Sequence, residues 1–196
     1  MELKELTNKI CDLFGCANVS TLPDKIMSSL FSQNAPLLFE KYKELCPDLK
    51  IDWLQKVYQF YHADREEKKQ DYTPVSLAKL VAYLSCTSSE KIVYDCCSGS
   101  GALTIQKWSI NPNLKFVCEE LDEKVIPILL FNLCIRNIEA TVINKDILTG
   151  KVICSYRTIK GSTYSSVQRL MFSEMELLKA DVAISNPPFN LKVPVS

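Results

Sequence analysis

Apolar residues at the start of the chain recur every three or four positions: Leu3, Leu6, Ile10 and Leu13 fall on one stripe that stops near Gly15. That period belongs to amphipathic helices. Similar spacing predicts further helices around 23–33, 36–45 and 50–64, so residues 1–69 read as an N-terminal helical region. A charge run from Asp64 to Asp71 follows and reads as a solvated junction.

Beyond the junction, short apolar runs alternate with helical stretches. Thr73 is expected to cap a helix, with Pro74 at its first position and an apolar stripe from Ser76 to Leu84. Strands are predicted at 91–95, 114–118, 140–143 and 181–185, with helices at 102–110 and from Asp122 to near Asn137. Pro127 falls inside the second helix, where it should remove a backbone bond and bend the axis. Between the third and fourth strands the pattern weakens. There, 152–156 predicts an extra strand, Gly161 to Thr163 a turn, and 167–178 a helix with Leu170, Met171, Met175 and Leu178 facing inward. The alternation of strand and helix predicts an α/β fold, a doubly wound and mostly parallel sheet, with its core in residues 70–196. Ligands of such sheets sit at the carboxyl ends of the strands. Asp95, Glu120, Asp146 and Asn186 all fall at such ends.

A chain of 196 residues that is 47% hydrophobic can bury a sizeable core. Lys and Arg number 23 and Asp and Glu also 23, so any contact with DNA must be local or shared with another chain. Nine cysteines show no C-x-x-C pair and His62 is the only histidine, so no metal site is expected. The opening Met-Glu-Leu-Lys-Glu carries no apolar leader, and no run approaches the roughly 20 apolar residues of a membrane span. The expectation is a cytoplasmic chain with reduced thiols.

Two segments point to chemistry. In Asp95-Cys96-Cys97-Ser98-Gly99-Ser100-Gly101, two of the five glycines follow a strand and open a helix. Such a turn lets the backbone approach a nucleotide-like cofactor closely. Position 104 is Thr, so the dinucleotide fingerprint is incomplete, and Glu120 after the second strand would suit the ribose of more than one cofactor class. In Asn186-Pro187-Pro188-Phe189, the Asn186 carboxamide oxygen and the Pro187 carbonyl can accept both hydrogens of a planar amine. That draws the nitrogen toward tetrahedral geometry and frees its lone pair. Phe189 can stack on the ring, a contact of about 1–3 kcal/mol per base. A sulfonium methyl donor is already activated by its charge, so positioning carries most of the work and no metal is required.

With these segments in this order, residues 70–190 resemble amino-methyltransferases that use S-adenosylmethionine. The closest resemblance is to the modification subunits of type I restriction systems and related adenine-specific DNA methylases. It implies that Tyr72-Thr73-Pro74 closes over the methionine part of the cofactor. Asp95, Ser98, Gly99 and Gly101 then form the cofactor loop, and Glu120 with Leu121 holds the ribose. Asp146 and Ile147 lie near the cofactor's adenine ring, and Phe131-Asn132-Leu133 matches the helix after the second strand. Asn186, Pro187, Pro188 and Phe189 form the catalytic tetrapeptide, with Asn186 also beside the cofactor.

The family loop usually continues Asp-Pro, where this chain has Cys96 and Cys97. The sequence also ends seven residues after Phe189, so a partial core is expected, its fourth strand an edge. A specificity subunit, a second copy, another protein or residues 150–165 would cover that edge. Three readings follow. One is methylation of adenine in DNA, which requires base flipping. Another is a catalytically silent module that binds the cofactor and interferes with restriction or modification through a protein partner. The third is methylation of a protein glutamine or an RNA base.

Overall fold

The computed structural model describes residues 2–61, 73–171 and 179–187. Helix α1 (Leu3–Phe14) buries Leu6, Ile10 and Phe14 and ends where Gly15 turns left-handed at φ 62°, with Cys16 N–H reaching back to the Cys11 carbonyl. Pro23 and Pro36 sit in the first turns of α2 (Leu22–Leu30) and α3 (Ala35–Leu45), where their missing N–H costs nothing. Helix α4 (Trp53–Tyr61) begins later than its spacing suggested because the Asp52 carboxylate accepts the Gln55 N–H at 2.9 Å, a capping bond.

The rest of the described chain runs α5 (Val75–Leu84), β1 (Ile92–Asp95), α6 (Ala102–Ile110), β2 (Lys115–Glu120), α7 (Ile126–Ile135), β3 (Glu139–Lys145), β4 (Val152–Ile159), β5 (Ser166–Leu170) and β6 (Val182–Ile184). The strands form one sheet in the order β5-β4-β3-β2-β1-β6. Four strands, β6, β1, β2 and β3, are parallel, with Asp95 beside Cys118 on one side and Ile184 on the other. This is a mixed α/β fold. Strand order runs outward from β1 through β2 to β3 and then returns to β1's other side with β6, so the switch point lies at the carboxyl tips of β1 and its neighbours.

Helix α7 is buried at all ten positions, as a helix enclosed on both sides must be. Its Phe131 ring receives three others edge-on: Phe14 from α1 at 5.4 Å, Phe39 from α3 at 5.2 Å and Tyr42 from α3 at 4.9 Å. The N-terminal helices thus share one hydrophobic core with the sheet.

Four expectations are corrected. Pro127 does not bend a helix interior, because α7 starts at Ile126 and holds Pro127 in its first turn. Pro74, at φ −57° and ψ 143°, occupies the cap position expected of Thr73, and the cap makes no side-chain bond. Residues 166–170 are strand, not helix: β4 extends to Ile159 and β5 pairs antiparallel with it, Ser155 opposite Leu170. The open edge of β4 offers that segment a backbone partner, which overrides an ambiguous apolar spacing. Leu170 is buried as expected, but Met171 is 70% exposed, and Met175 and Leu178 lie outside the described residues. Finally, this hairpin covers β3, at the far end of the sheet from β6, so residues 150–165 do not shield the β6 edge.

Candidate functional site

Parallel pairing sets the site. Because Ile184 lies beside Asp95, the chain leaving β6 reaches Asn186 next to the glycine turn leaving β1. One further contact joins these tips, the Cys97 thiol meeting Ser185, while the Asn186 side-chain nitrogen donates to the hydroxyl of Thr73, just ahead of α5, at 2.9 Å. Asp181 ties the other end of the pair, its Oδ2 accepting the Lys91 and Ile92 N–H groups at 2.8 and 2.9 Å.

The turn itself is over-determined. Gly99 and Gly101 adopt φ of 53° and 98°, the left-handed region. A Cβ on Gly101 would also come to 3.0 Å from Leu129 of α7, whereas one on Gly99 would meet nothing within 4 Å. The close approach anticipated for this loop is therefore to α7 at Gly101, and open space lies at Gly99. Ser98 directs both its N–H and its hydroxyl to the Glu119 carbonyl, at 3.0 and 3.1 Å. Asn132 of α7 donates to the Ser100 carbonyl at 2.9 Å.

Asp95 is fully buried, with Oδ2 accepting from Thr104 at 2.9 Å and Oδ1 lacking a partner among the described residues. Burial pushes its pKa up to about 7, against the lowering effect of the Thr104 bond, and the nearby Glu120 charge adds to the rise. The folded chain therefore keeps a proton that the unfolded chain, with a carboxyl pKa of about 3.9, releases earlier. Stability from this group falls as pH rises from about 4 to about 7 and is flat above that. Asp95→Asn should remove this slope, changing the wild-type-minus-variant stability by about 3 kcal/mol between pH 4.5 and 8 in urea titrations. Parallel profiles would contradict it.

At the tip of β2, the Glu120 carboxylate accepts the Gly99 N–H at 2.7 Å through one oxygen and the Asp122 N–H at 2.8 Å through the other. Burial raises its pKa while these backbone bonds oppose the rise. Each oxygen retains a further lone pair. Asn144 of β3, fully buried, fixes the loop behind by donating to the Glu120 and Leu121 carbonyls, both at 2.9 Å. Asp146 caps its own turn, Oδ1 accepting the Leu148 and Thr149 N–H groups at 2.9 and 3.3 Å. The Thr149 side chain, together with those two backbone bonds, holds its carboxyl below the usual range. Leu121 and Ile147, 58% and 37% exposed, stand apolar at the tips of β2 and β3. Tyr72, Pro188 and Phe189 lie outside the described residues, and Pro187 is exposed.

Arg136 and Asn144 escaped the sequence reading, and Asn132 entered it only as part of a family match. Arg136 is buried and donates to the carbonyls of Leu49 at 2.7 Å, Ile51 at 3.1 Å and Asn132 at 2.8 Å. Since Asn132 in turn holds the Ser100 carbonyl, the chain entering α4 braces the glycine turn through two side chains. Among the described residues no cluster could hold a metal ion, and no helix is long and apolar enough to cross a membrane.

A glycine turn, an acidic second-strand tip and an asparagine-proline tip lie around the switch point of the parallel strands in a mixed α/β sheet. The N-6 DNA Methylase family model matches residues 49–194, and the chain belongs to that family. A curated relative, the type I restriction enzyme MjaVIII methylase subunit of Methanocaldococcus jannaschii, is 23% identical over 156 residues, 76% of this chain and 24% of the relative. Among solved structures, the type I restriction-modification system methyltransferase subunit from Streptococcus thermophilus aligns at 17% identity and a TM-score of 0.45, over 95% of this chain and 43% of that one. The chain spans about a quarter of the curated relative and less than half of the solved one.

Proposed function

We propose that this chain binds S-adenosylmethionine at the tips of β1, β2 and β3 and contributes the catalytic tip for methylation of the adenine amino group in DNA. The pairing that seats Asn186 beside the glycine turn carries the reading. In it, residues 70–196 supply the partial catalytic core and residues 1–69 an N-terminal helical region.

The residues suit this cofactor in three respects. Glu120 keeps lone pairs for ribose hydroxyls, exposed Leu121 and Ile147 offer apolar faces to a purine, and the unpartnered Asp95 oxygen suits a cationic amino group. Asp146, engaged with its own turn, contributes through the shape of that turn. Gly99 leaves open room for the cofactor, while Ser98 and Gly101 hold the loop's form. Thr73 stands beside Asn186 at the edge of the same crevice. When bound, the cofactor supplies an electrophilic methyl group.

Asn186 Oδ1 and the Pro187 carbonyl accept the two amine hydrogens, localise the nitrogen lone pair and take up the positive charge that develops as the new N–C bond forms. Pro188 stiffens the tip, and Phe189 stacks on the extruded base. The amine proton leaves along one of these hydrogen bonds to water.

The neutral net charge provides little phosphate attraction, so DNA contact is shared with another polypeptide, a specificity subunit or second copy that also covers β6. The setting is the cytoplasm. Calorimetry should show S-adenosylmethionine binding that Glu120→Ala weakens on the order of 100-fold, the loss of two charge-assisted bonds. Equal affinity in the variant would refute the assignment of Glu120. Binding with no labelled methyl transfer to adenine-containing DNA, alone or with partner subunits, would instead select a silent cofactor-binding module.

A further inference from the structure

Thr73 was expected to cap the helix that follows it, but Pro74 takes the cap position and no side chain bonds there. The Thr73 hydroxyl receives the Asn186 side-chain nitrogen at 2.9 Å across 113 positions of sequence. Both partners are only partly buried, so the bond sits at the crevice wall and not in the core. Two restrictions make Thr73 a stiff post. Its β-branched side chain has few rotamers, and the following Pro74 confines its backbone to extended conformations.

A carboxamide has two ends of nearly equal size and opposite chemistry, one donating and one accepting. With its nitrogen held by Thr73, Asn186 keeps Oδ1 available, since that oxygen accepts no bond among the described residues. The reversed amide would present N–H donors to a substrate amine that itself offers hydrogens, which is repulsive. We infer that Thr73 is a positioning residue for Asn186: it anchors the carboxamide nitrogen so that the oxygen faces the substrate amine. The inference rests on the amine-methylation reading for its consequence, though not for the contact itself.

The test uses the full chain as wild type, the isosteric Thr73→Val and the hydroxyl-retaining Thr73→Ser. Three quantities are compared: the nitrogen-15 NMR signals of the Asn186 side-chain amide, S-adenosylmethionine affinity, and the single-turnover rate of methyl transfer with any required partner present. Thr73→Val should shift the Asn186 amide signals and speed their hydrogen exchange. It should slow transfer about tenfold, as for one lost hydrogen bond, with cofactor affinity changed less than about twofold. Thr73→Ser should restore both the signals and the rate.

Unmoved Asn186 signals in Thr73→Val would overturn the inference. So would a fall in cofactor affinity that matches the fall in rate, which would make Thr73 a cofactor contact. If the wild type transfers no methyl group yet its Asn186 amide responds to Thr73→Val and recovers in Thr73→Ser, the anchoring stands and the methylation reading is what fails.

Discussion

Asn186→Ala should reduce methyl transfer to adenine by roughly 10²–10³-fold or more, the scale seen when a preorganised group facing transition-state charge is removed. The aromatic amine is a poor nucleophile until its lone pair leaves the ring, and only acceptors placed against its hydrogens accomplish that. Alanine removes one of the two proposed acceptors and also the partner of Thr73. Cofactor affinity should change far less than the rate, since the Glu120 and glycine-turn contacts are untouched. Asn186→Asp, which keeps an acceptor oxygen, should retain more activity than alanine. Single-turnover transfer of a labelled methyl group compares the wild type with both variants, and an alanine variant that transfers at the wild-type rate would exclude Asn186 from the chemistry.

Phe131→Ala should destabilise the fold by about 3–5 kcal/mol in urea titration, the usual cost of deleting a large buried ring. Three aromatic rings from α1 and α3 close on this one side chain, and no neighbour can fill the space without abandoning its own packing. The next residue, Asn132, holds the Ser100 carbonyl, so a shift of α7 also loosens the glycine turn. By contrast Phe31, half exposed, should cost less than about 1 kcal/mol as alanine. Equal costs at the two positions would mean that the rings around Phe131 are not the junction between the helices and the sheet.

The parallel strands and the glycine turn were legible because each is a local pattern: a short apolar run, a polar tip, and glycines where the chain must turn left-handed. Strand β5 was not, because Val167, Leu170 and Met171 fit a helical spacing as well as a strand. Only the waiting edge of β4 decides between them. Thr73 was misjudged for a related reason. A threonine before a proline and an apolar stripe has the local signature of a cap, and its actual partner arrives from the end of β6. Arg136 carried no local sign of its role, since two of the three carbonyls it satisfies belong to distant residues, 49 and 51. Residues bonded to near neighbours announce themselves in sequence, and those bonded across the fold do not.

Titration of the nitrogen-15-labelled chain with S-adenosylmethionine, followed by amide chemical shifts, asks most directly whether the β1 and β6 tips open into one crevice. The shifts should gather on Ser98 to Gly101, on Glu120 to Asp122, and on Ser185 and Asn186 together. Shifts at the glycine turn with none at Asn186, or no saturable shifts at all, would contradict a shared site.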